Sequence, residues 1–166
     1  MINTSHVAQA RTDSPLGGIL LAATEHGLAG LWFDGQKHHP GPLSAPTDAA
    51  QRWIAQSLNE LDAYWHRGSG TGGFSVPLDA QGSAFQRDVW RALGKIGCGC
   101  TLSYGALAGK VGRASAVRAV AAAVGRNPLS VIVPCHRVIG AGGALIGYAG
   151  GLDRKRALLR LEGVTV

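Results

Sequence analysis

The chain is predicted to be an α+β protein, with a small antiparallel sheet and one helix in its first half and a helical second half. Three observations predict this. Short apolar segments separated by turn residues fill the stretch up to Phe33, and one amphipathic stripe runs from Ala50 to Trp65. Beyond residue 80, helix-capping serines alternate with glycine turns. A glycine-rich stretch, Arg67-Gly68-Ser69-Gly70-Thr71-Gly72-Gly73, separates the two styles and reads as a flexible linker. The expected domains are therefore 1–79 and 80–166.

Composition limits the alternatives. Of 166 residues, 46% are apolar and 16% charged, which suits a globular chain rather than a disordered one. The net charge of +6 favours a polyanionic partner such as nucleic acid. All three cysteines follow residue 97, and an odd late set argues for reduced thiols rather than a secreted disulfide framework. The start, Met1-Ile2-Asn3-Thr4-Ser5-His6, lacks the basic and apolar blocks of a signal peptide, and no apolar run is long enough to span a bilayer. A soluble, cytoplasmic protein is expected.

In chain order, Ser14-Pro15-Leu16-Gly17-Gly18 and Glu25-His26-Gly27 are turns around the apolar segments Ile19-Leu20-Leu21-Ala22-Ala23 and Leu28-Ala29-Gly30-Leu31-Trp32-Phe33, a meander. Residues 35–46 carry proline, glycine and the pair His38-His39 and read as a solvated loop. Thr47 or Asp48 is the expected cap of a helix with Ala50, Trp53, Ile54, Leu58, Leu61 and Trp65 on one face. Ser83 caps a second helix bearing Phe85, Val89, Ala92 and Leu93. Ser103 caps a short helix over 104–111, Gly112-Arg113-Ala114-Ser115 turns the chain, and another short helix covers 116–124, closed by Gly125. This pattern fits a helix-turn-helix. It fits an ordinary helical hairpin in a core equally well.

The second of these helices, Ala116-Val117-Arg118-Ala119-Val120-Ala121-Ala122-Ala123-Val124, carries a single long polar side chain, Arg118. A helix that reads bases in a major groove needs several Arg, Asn or Gln side chains. The alanines suit either a buried core helix or a close approach to a surface, and minor-groove docking fits the second.

The stretch that carries chemistry is Val131-Ile132-Val133-Pro134-Cys135-His136-Arg137-Val138-Ile139-Gly140. A thiol beside an imidazole and a guanidinium is a setting for a thiolate at neutral pH. Gly140-Ala141-Gly142-Gly143 is a tight turn. Asp153 is the expected cap of a last helix whose charged face holds Arg154, Lys155, Arg156 and Arg160, ending at Glu162 and Gly163.

Pro134-Cys135-His136-Arg137-Val138, preceded by Gly125-Arg126-Asn127-Pro128 and followed by Gly147-Tyr148-Ala149-Gly150-Gly151-Leu152, closely resembles the O6-alkylguanine-DNA alkyltransferases (methylated-DNA–protein-cysteine methyltransferases). The resemblance runs from Phe85 to Gly163. The first half matches only in its strand and helix outline. The resemblance implies a ribonuclease-H-like N-terminal fold, a winged helix-turn-helix after it, and repair of alkylated duplex DNA by one irreversible transfer per molecule.

By that resemblance Cys135 attacks the alkyl carbon on O6 of guanine, and the same chemistry is expected to extend to O4-alkylthymine. His136 acts as base through a bridging water, Glu162 orients it, and Tyr104 protonates the departing base. Val124 packs on the guanine, main-chain groups of Cys135, Val138 and Ala149 with Tyr148 nearby meet its edge, and Asn127 supports the turn before the cysteine. The base must leave the duplex to reach the sulfur. Arg118 takes its place in the stack, and Ser103, Ala116, Val117, Ala119, Ala121 and Ala122 lie along the minor groove of double-stranded DNA. The basic residues of the last helix supply phosphate contacts. The protein acts as a monomer, with no metal or organic cofactor.

The chain departs from the family pattern at Gly97-Cys98-Gly99-Cys100, where a proline-tyrosine-glycine-glutamate sequence is usual. These thiols read as a redox pair, as part of a metal site with outside ligands, or as plain loop substitutions. With no cysteine before Cys98, the N-terminal zinc site of some relatives is not expected here. Two other classes compete: a lesion-binding protein without transfer, which would lack Cys135, and a Cys-His hydrolase, which would leave Arg118 and the alanine helix without a role.

Overall fold

A computed structural model describes residues 6–67 and 73–166. Residues 1–5 and most of the expected linker, 68–72, lie outside the described residues. The architecture is α+β.

Strands β1 (Ala8–Thr12), β2 (Ile19–Ala23) and β3 (Leu28–Phe33) form an antiparallel sheet in that order, with Leu21 opposite Ala10 and Leu31. The short turns favour pairing between sequence neighbours. Helix α1 (Arg52–Arg67) covers one face, burying Ile54, Ser57, Leu61 and Tyr64. Each large apolar side chain taken out of water contributes about 1.5–3 kcal/mol. The opposite face, Leu20, Ala22 and Trp32, is covered by Leu43 from the proline-rich loop. Gly30 is required there, because a Cβ would sit 1.8 Å from the Trp32 ring.

The expected cap of α1 is corrected. Thr47 instead forms a bridge with Gln9, and Asp48 accepts from the Ala50 N–H in a turn ahead of the helix. Gln51 holds the free first-turn groups, its Oε1 accepting from Trp53 and Ile54 N–H at 2.9 and 3.1 Å.

In the second half, α2 (Ala84–Leu93) begins with the Ser83–Gln86 capping box and buries Val89, Trp90 and Leu93. Strand β4 (Leu102–Ser103) leads into α3 (Tyr104–Lys110), capped by Ser103 Oγ, which accepts from Ala106 N–H at 3.1 Å. After a turn at Gly112 comes α4 (Val117–Gly125), which packs on α2 and α3 through Val120, Ala123 and Val124. Strand β5 (Val138–Ile139) pairs in parallel with β4.

The last helix, α5 (Leu152–Leu161), starts at Gly151, whose φ is 91°, rather than at a side-chain cap. Asp153 falls inside the first turn, where its charge suits the helix dipole, and lies 3.7 Å from Arg156. Glu162 and Gly163 end the helix as expected.

The halves are joined through backbone. Leu31 pairs with Leu129, with Leu31 N–H donating to Pro128 O and Ser130 N–H to Leu31 O. The apolar run 131–133 then turns instead of extending. Val131 has φ 70°, uncommon for a β-branched residue, and the chain rises into a one-turn 3-10 helix, Cys135–Arg137. That turn sets the thiol at the base of a cleft.

Candidate active site

Cys135 lies at the floor of a cleft of about 750 Å³ whose walls include Tyr104, Arg118, Val124, Tyr148 and Ala149. The residue is 5% exposed, and its sulfur sits 3.2 Å from the Asn127 side-chain nitrogen. The same amide donates to Val133 O at 2.9 Å, while Asn127 Oδ1 accepts from Leu129 N–H at 3.0 Å. Asn127 therefore holds both ends of the turn that presents the thiol.

The sequence offered a setting in which a thiolate could form with a nearby base; the surroundings favour the thiol. Burial pushes the Cys135 pKa up, and the hydrogen bond from Asn127 and the charge of Lys155 offset this only in part. Arg137, the expected cationic neighbour, turns away. Its Nε and Nη2 donate to Glu162 at 2.9 and 2.8 Å, and Nη1 donates to Ile96 O.

His136 turns the same way. Its Nε2 lies 2.7 Å from Glu162 Oε1, and both side chains are fully buried. Burial would raise the pKa of Glu162, but hydrogen bonds and charges from His136 and Arg137 outweigh it and hold the carboxyl down at about 2. Burial likewise depresses His136, with the Glu162 hydrogen bond opposing it. A neutral imidazole beside a carboxylate donates its Nε2–H and keeps the Nδ1 lone pair. Nδ1 is buried with no protein partner among the described residues. The result is a base with a fixed tautomer. Tyr64, from α1, adds one more donor to the carboxylate, its hydroxyl donating to Oε1 at 2.9 Å.

Tyr104 stands at the start of α3 with its hydroxyl 3.2 Å from Ile146 O and 3.3 Å from Gly147 O. Burial, and then Cys135, raise its pKa, so it is a phenol at neutral pH. Gly147 has φ 62°, and a Cβ there would meet the Tyr104 oxygen at 3.3 Å.

Lys155 requires a correction. The sequence placed it on an exposed basic face for phosphate contact, yet it is fully buried, its Nζ donating to the carbonyls of Val138, Ile146 and Gly147. Burial lowers its pKa to about 8. Arg154 is likewise engaged, its guanidinium donating to Leu16 O, Gly150 O and Asp34 O and stacking on Phe33. Lys155, Leu158, Leu159 and Glu162 share one helical face, a spacing legible in the sequence had the lysine not been read as solvated.

The cleft gathers Val117, Arg118, Ala121 and Ala122 with Tyr104, Val124, Cys135, Tyr148 and Ala149. Ser103, Ala116 and Ala119 are not on its walls, and the Ser103 hydroxyl is occupied as a helix cap. His136, Asn127, Val138 and Glu162 lie buried behind it. Lys37, His38 and Arg126 also line it, which the sequence pattern did not reveal.

Cys98 and Cys100 are exposed free thiols. Burial and the charge of Glu162 raise the Cys98 pKa, which places that thiol near the far side of the carboxylate. Among the described residues no group of three or more His, Cys, Asp or Glu is placed to hold a metal. No helix among them is long and apolar enough to cross a membrane.

The family model described as 6-O-methylguanine DNA methyltransferase, DNA binding domain, matches residues 84–164, and the ribonuclease-like domain of the same family matches residues 7–80. The methylated-DNA–protein-cysteine methyltransferase of Mycolicibacterium paratuberculosis is 46% identical over 150 residues, covering 90% of this chain and 88% of the relative. That of Methanosarcina acetivorans is 44% identical over 152 residues, covering 91% and 95%. A crystal structure of Mycobacterium tuberculosis OGT in complex with DNA superposes with a TM-score of 0.83 at 42% identity, covering 94% of this chain and 92% of that one. With both halves matched in order and relatives at 44–46% identity covering most of each chain, the chain belongs to the 6-O-methylguanine DNA methyltransferase family.

Proposed function

We propose that the protein repairs duplex DNA by moving the alkyl group of O6-alkylguanine, and of O4-alkylthymine, onto Cys135. The observation that carries this reading is the buried Cys135 at the floor of an open cleft, backed by the His136–Glu162 pair at 2.7 Å. A neutral imidazole with a free Nδ1 is suited to take the thiol proton through a water. The sulfur then attacks the alkyl carbon in line, the S–C bond forms as the C–O6 bond breaks, and the electron pair leaves with guanine. Tyr104, a phenol facing the cleft, supplies the proton that neutralises the departing base.

The cleft is too recessed for a stacked base, so the nucleotide rotates out of the duplex. Arg118 is exposed on α4 at the cleft wall, suited to fill the gap left in the stack. Exposed Val117, Ala119 and Ala122 leave α4 thin enough to enter a minor groove. Val124, Tyr148 and Ala149 bound the base, while Val138, whose carbonyl Lys155 holds, acts from behind. The thioether product resists water and thiols, so each molecule turns over once. Residues 1–79 serve as a supporting domain and 80–166 as the reactive one, acting as a cytoplasmic monomer.

The test is to incubate the protein with a duplex carrying O6-methylguanine and weigh it intact. One methyl group on Cys135 and at most one equivalent of repaired DNA are expected. Sustained turnover, or methylation at Cys98 or Cys100 instead, would sink the reading.

A further inference from the structure

One wall of the cleft comes from the other half of the chain. Lys37 and His38, in the loop after β3, line it together with Arg126 and Arg118. The loop is fastened there. Lys37 N–H donates to Ala149 O at 2.9 Å, and Gln36 Oε1 accepts from Phe33 N–H at 2.8 Å and from Ser130 Oγ at 3.2 Å. His38 adopts φ 62°, a left-handed conformation that a non-glycine residue keeps only where its surroundings enforce it.

The charges at this mouth are uncompensated. Arg11, Arg91 and Arg156 each find a carboxylate, on Asp34, Asp88 and Asp153. Among the described residues, Lys37, Arg118 and Arg126 form no ion pair or side-chain hydrogen bond, yet all three face one cleft. Burial first, and then the charges of Arg126 and Lys37, depress the His38 pKa, so these groups crowd one another. Like charges held together without a counter-ion mark an anion site.

A nucleotide whose base enters the cleft leaves its phosphates at the mouth. We propose that Lys37, with His38 and Arg126, clamps the phosphates flanking the rotated nucleotide, so that the N-terminal half grips the damaged strand directly. This rests on the alkylguanine reading above and assigns the first half a share of the DNA interface.

The test uses the full chain carrying Cys135→Ala, so that binding is not followed by transfer, and a duplex with one O6-methylguanine. Salt titrations compare it with the same chain carrying Lys37→Gln, Arg126→Gln or, as a cation away from this cleft, Lys95→Gln. For every phosphate left without its cation, the slope of log affinity against log salt should shrink by about 0.9. Lys37→Gln and Arg126→Gln should show that change and Lys95→Gln none. With Cys135 intact, Lys37→Gln should react with free O6-benzylguanine at a rate within about twofold of the parent, because a free base brings no phosphate. An unchanged slope for Lys37→Gln overturns the proposal. So does an equal loss with the free base, which would make the loop part of the base pocket. Inertness of the unmodified protein toward both substrates is a separate result that removes the underlying reading.

Discussion

His136 and Glu162 meet out of contact with solvent, Nε2 to Oε1 at 2.7 Å, while Arg137 closes on the same carboxylate from Nε and Nη2. The carboxylate thus holds an imidazole and neutralises a guanidinium together, so under the proposed reading one residue serves both chemistry and stability.

Replacing Glu162 by Gln should slow alkyl transfer by about 10²–10⁴-fold in single-turnover assays, the usual range for loss of general-base assistance. It should also destabilise the fold by about 3–5 kcal/mol, because Arg137 stays buried without its counter-ion. An unaltered rate in the folded variant would remove Glu162 from the relay.

The same carboxyl predicts an acid limb. Its pKa of about 2 lies below the ordinary 4.5, so as pH falls the unfolded chain takes up the proton first. The stability it contributes is whole above pH 4.5 and is lost toward pH 2. His136, depressed from 6.5, adds a loss that begins below that value. Denaturant midpoints followed across the acid range should fall in this window, and the fall should be shallower in Glu162→Gln. The reaction with free O6-benzylguanine should weaken on the acid side only below pH 6.5.

Lys155→Met should keep much of the packing but leave the Val138 carbonyl without its donor, and leave Ile146 O and Gly147 O to share the Tyr104 hydroxyl. The deserted buried acceptor on Val138 costs about 1–3 kcal/mol. Amide exchange should quicken across 146–151, and transfer to Cys135 should slow, since the thiol is deprived of the cation that eases its ionisation. Unchanged exchange in that segment would contradict the fastening role.

Arg118→Ala should slow repair of duplex DNA far more than reaction with a free benzylated base, which needs no rotation out of a stack. Equal losses would mean that the arginine acts in the pocket.

Local rules made much of this architecture readable. Ser83 and Ser103 announce their helices because a serine oxygen satisfies first-turn N–H groups, and both caps are present. Cys135 and His136 are legible as a pair, and Glu162 by resemblance. What was hidden depends on tertiary placement. Tyr64 reads as one more aromatic in α1 until the fold carries its hydroxyl to Glu162. Lys155 looks solvated until the turn at Gly151 rotates it inward. Lys37 sits in a loop whose position is set by bonds to Ala149, Phe33 and Ser130, none of which the loop's own composition announces.

The reach of the contacts around Glu162 bears on how the chain comes into being. Tyr64 and Glu162 are 98 residues apart, and Arg154 bonds to partners 120 and 138 residues away. On a ribosome the first sheet and α1 emerge long before their last partners, and such distant closures are slow. A nascent chain halted short of residue 162 holds Cys135 and His136 but not the carboxylate that pairs with the imidazole. Under the proposed reading, reactivity therefore waits on a residue 98 positions beyond Tyr64, so a product cut between Cys135 and Glu162 would carry the thiol without the means to spend it.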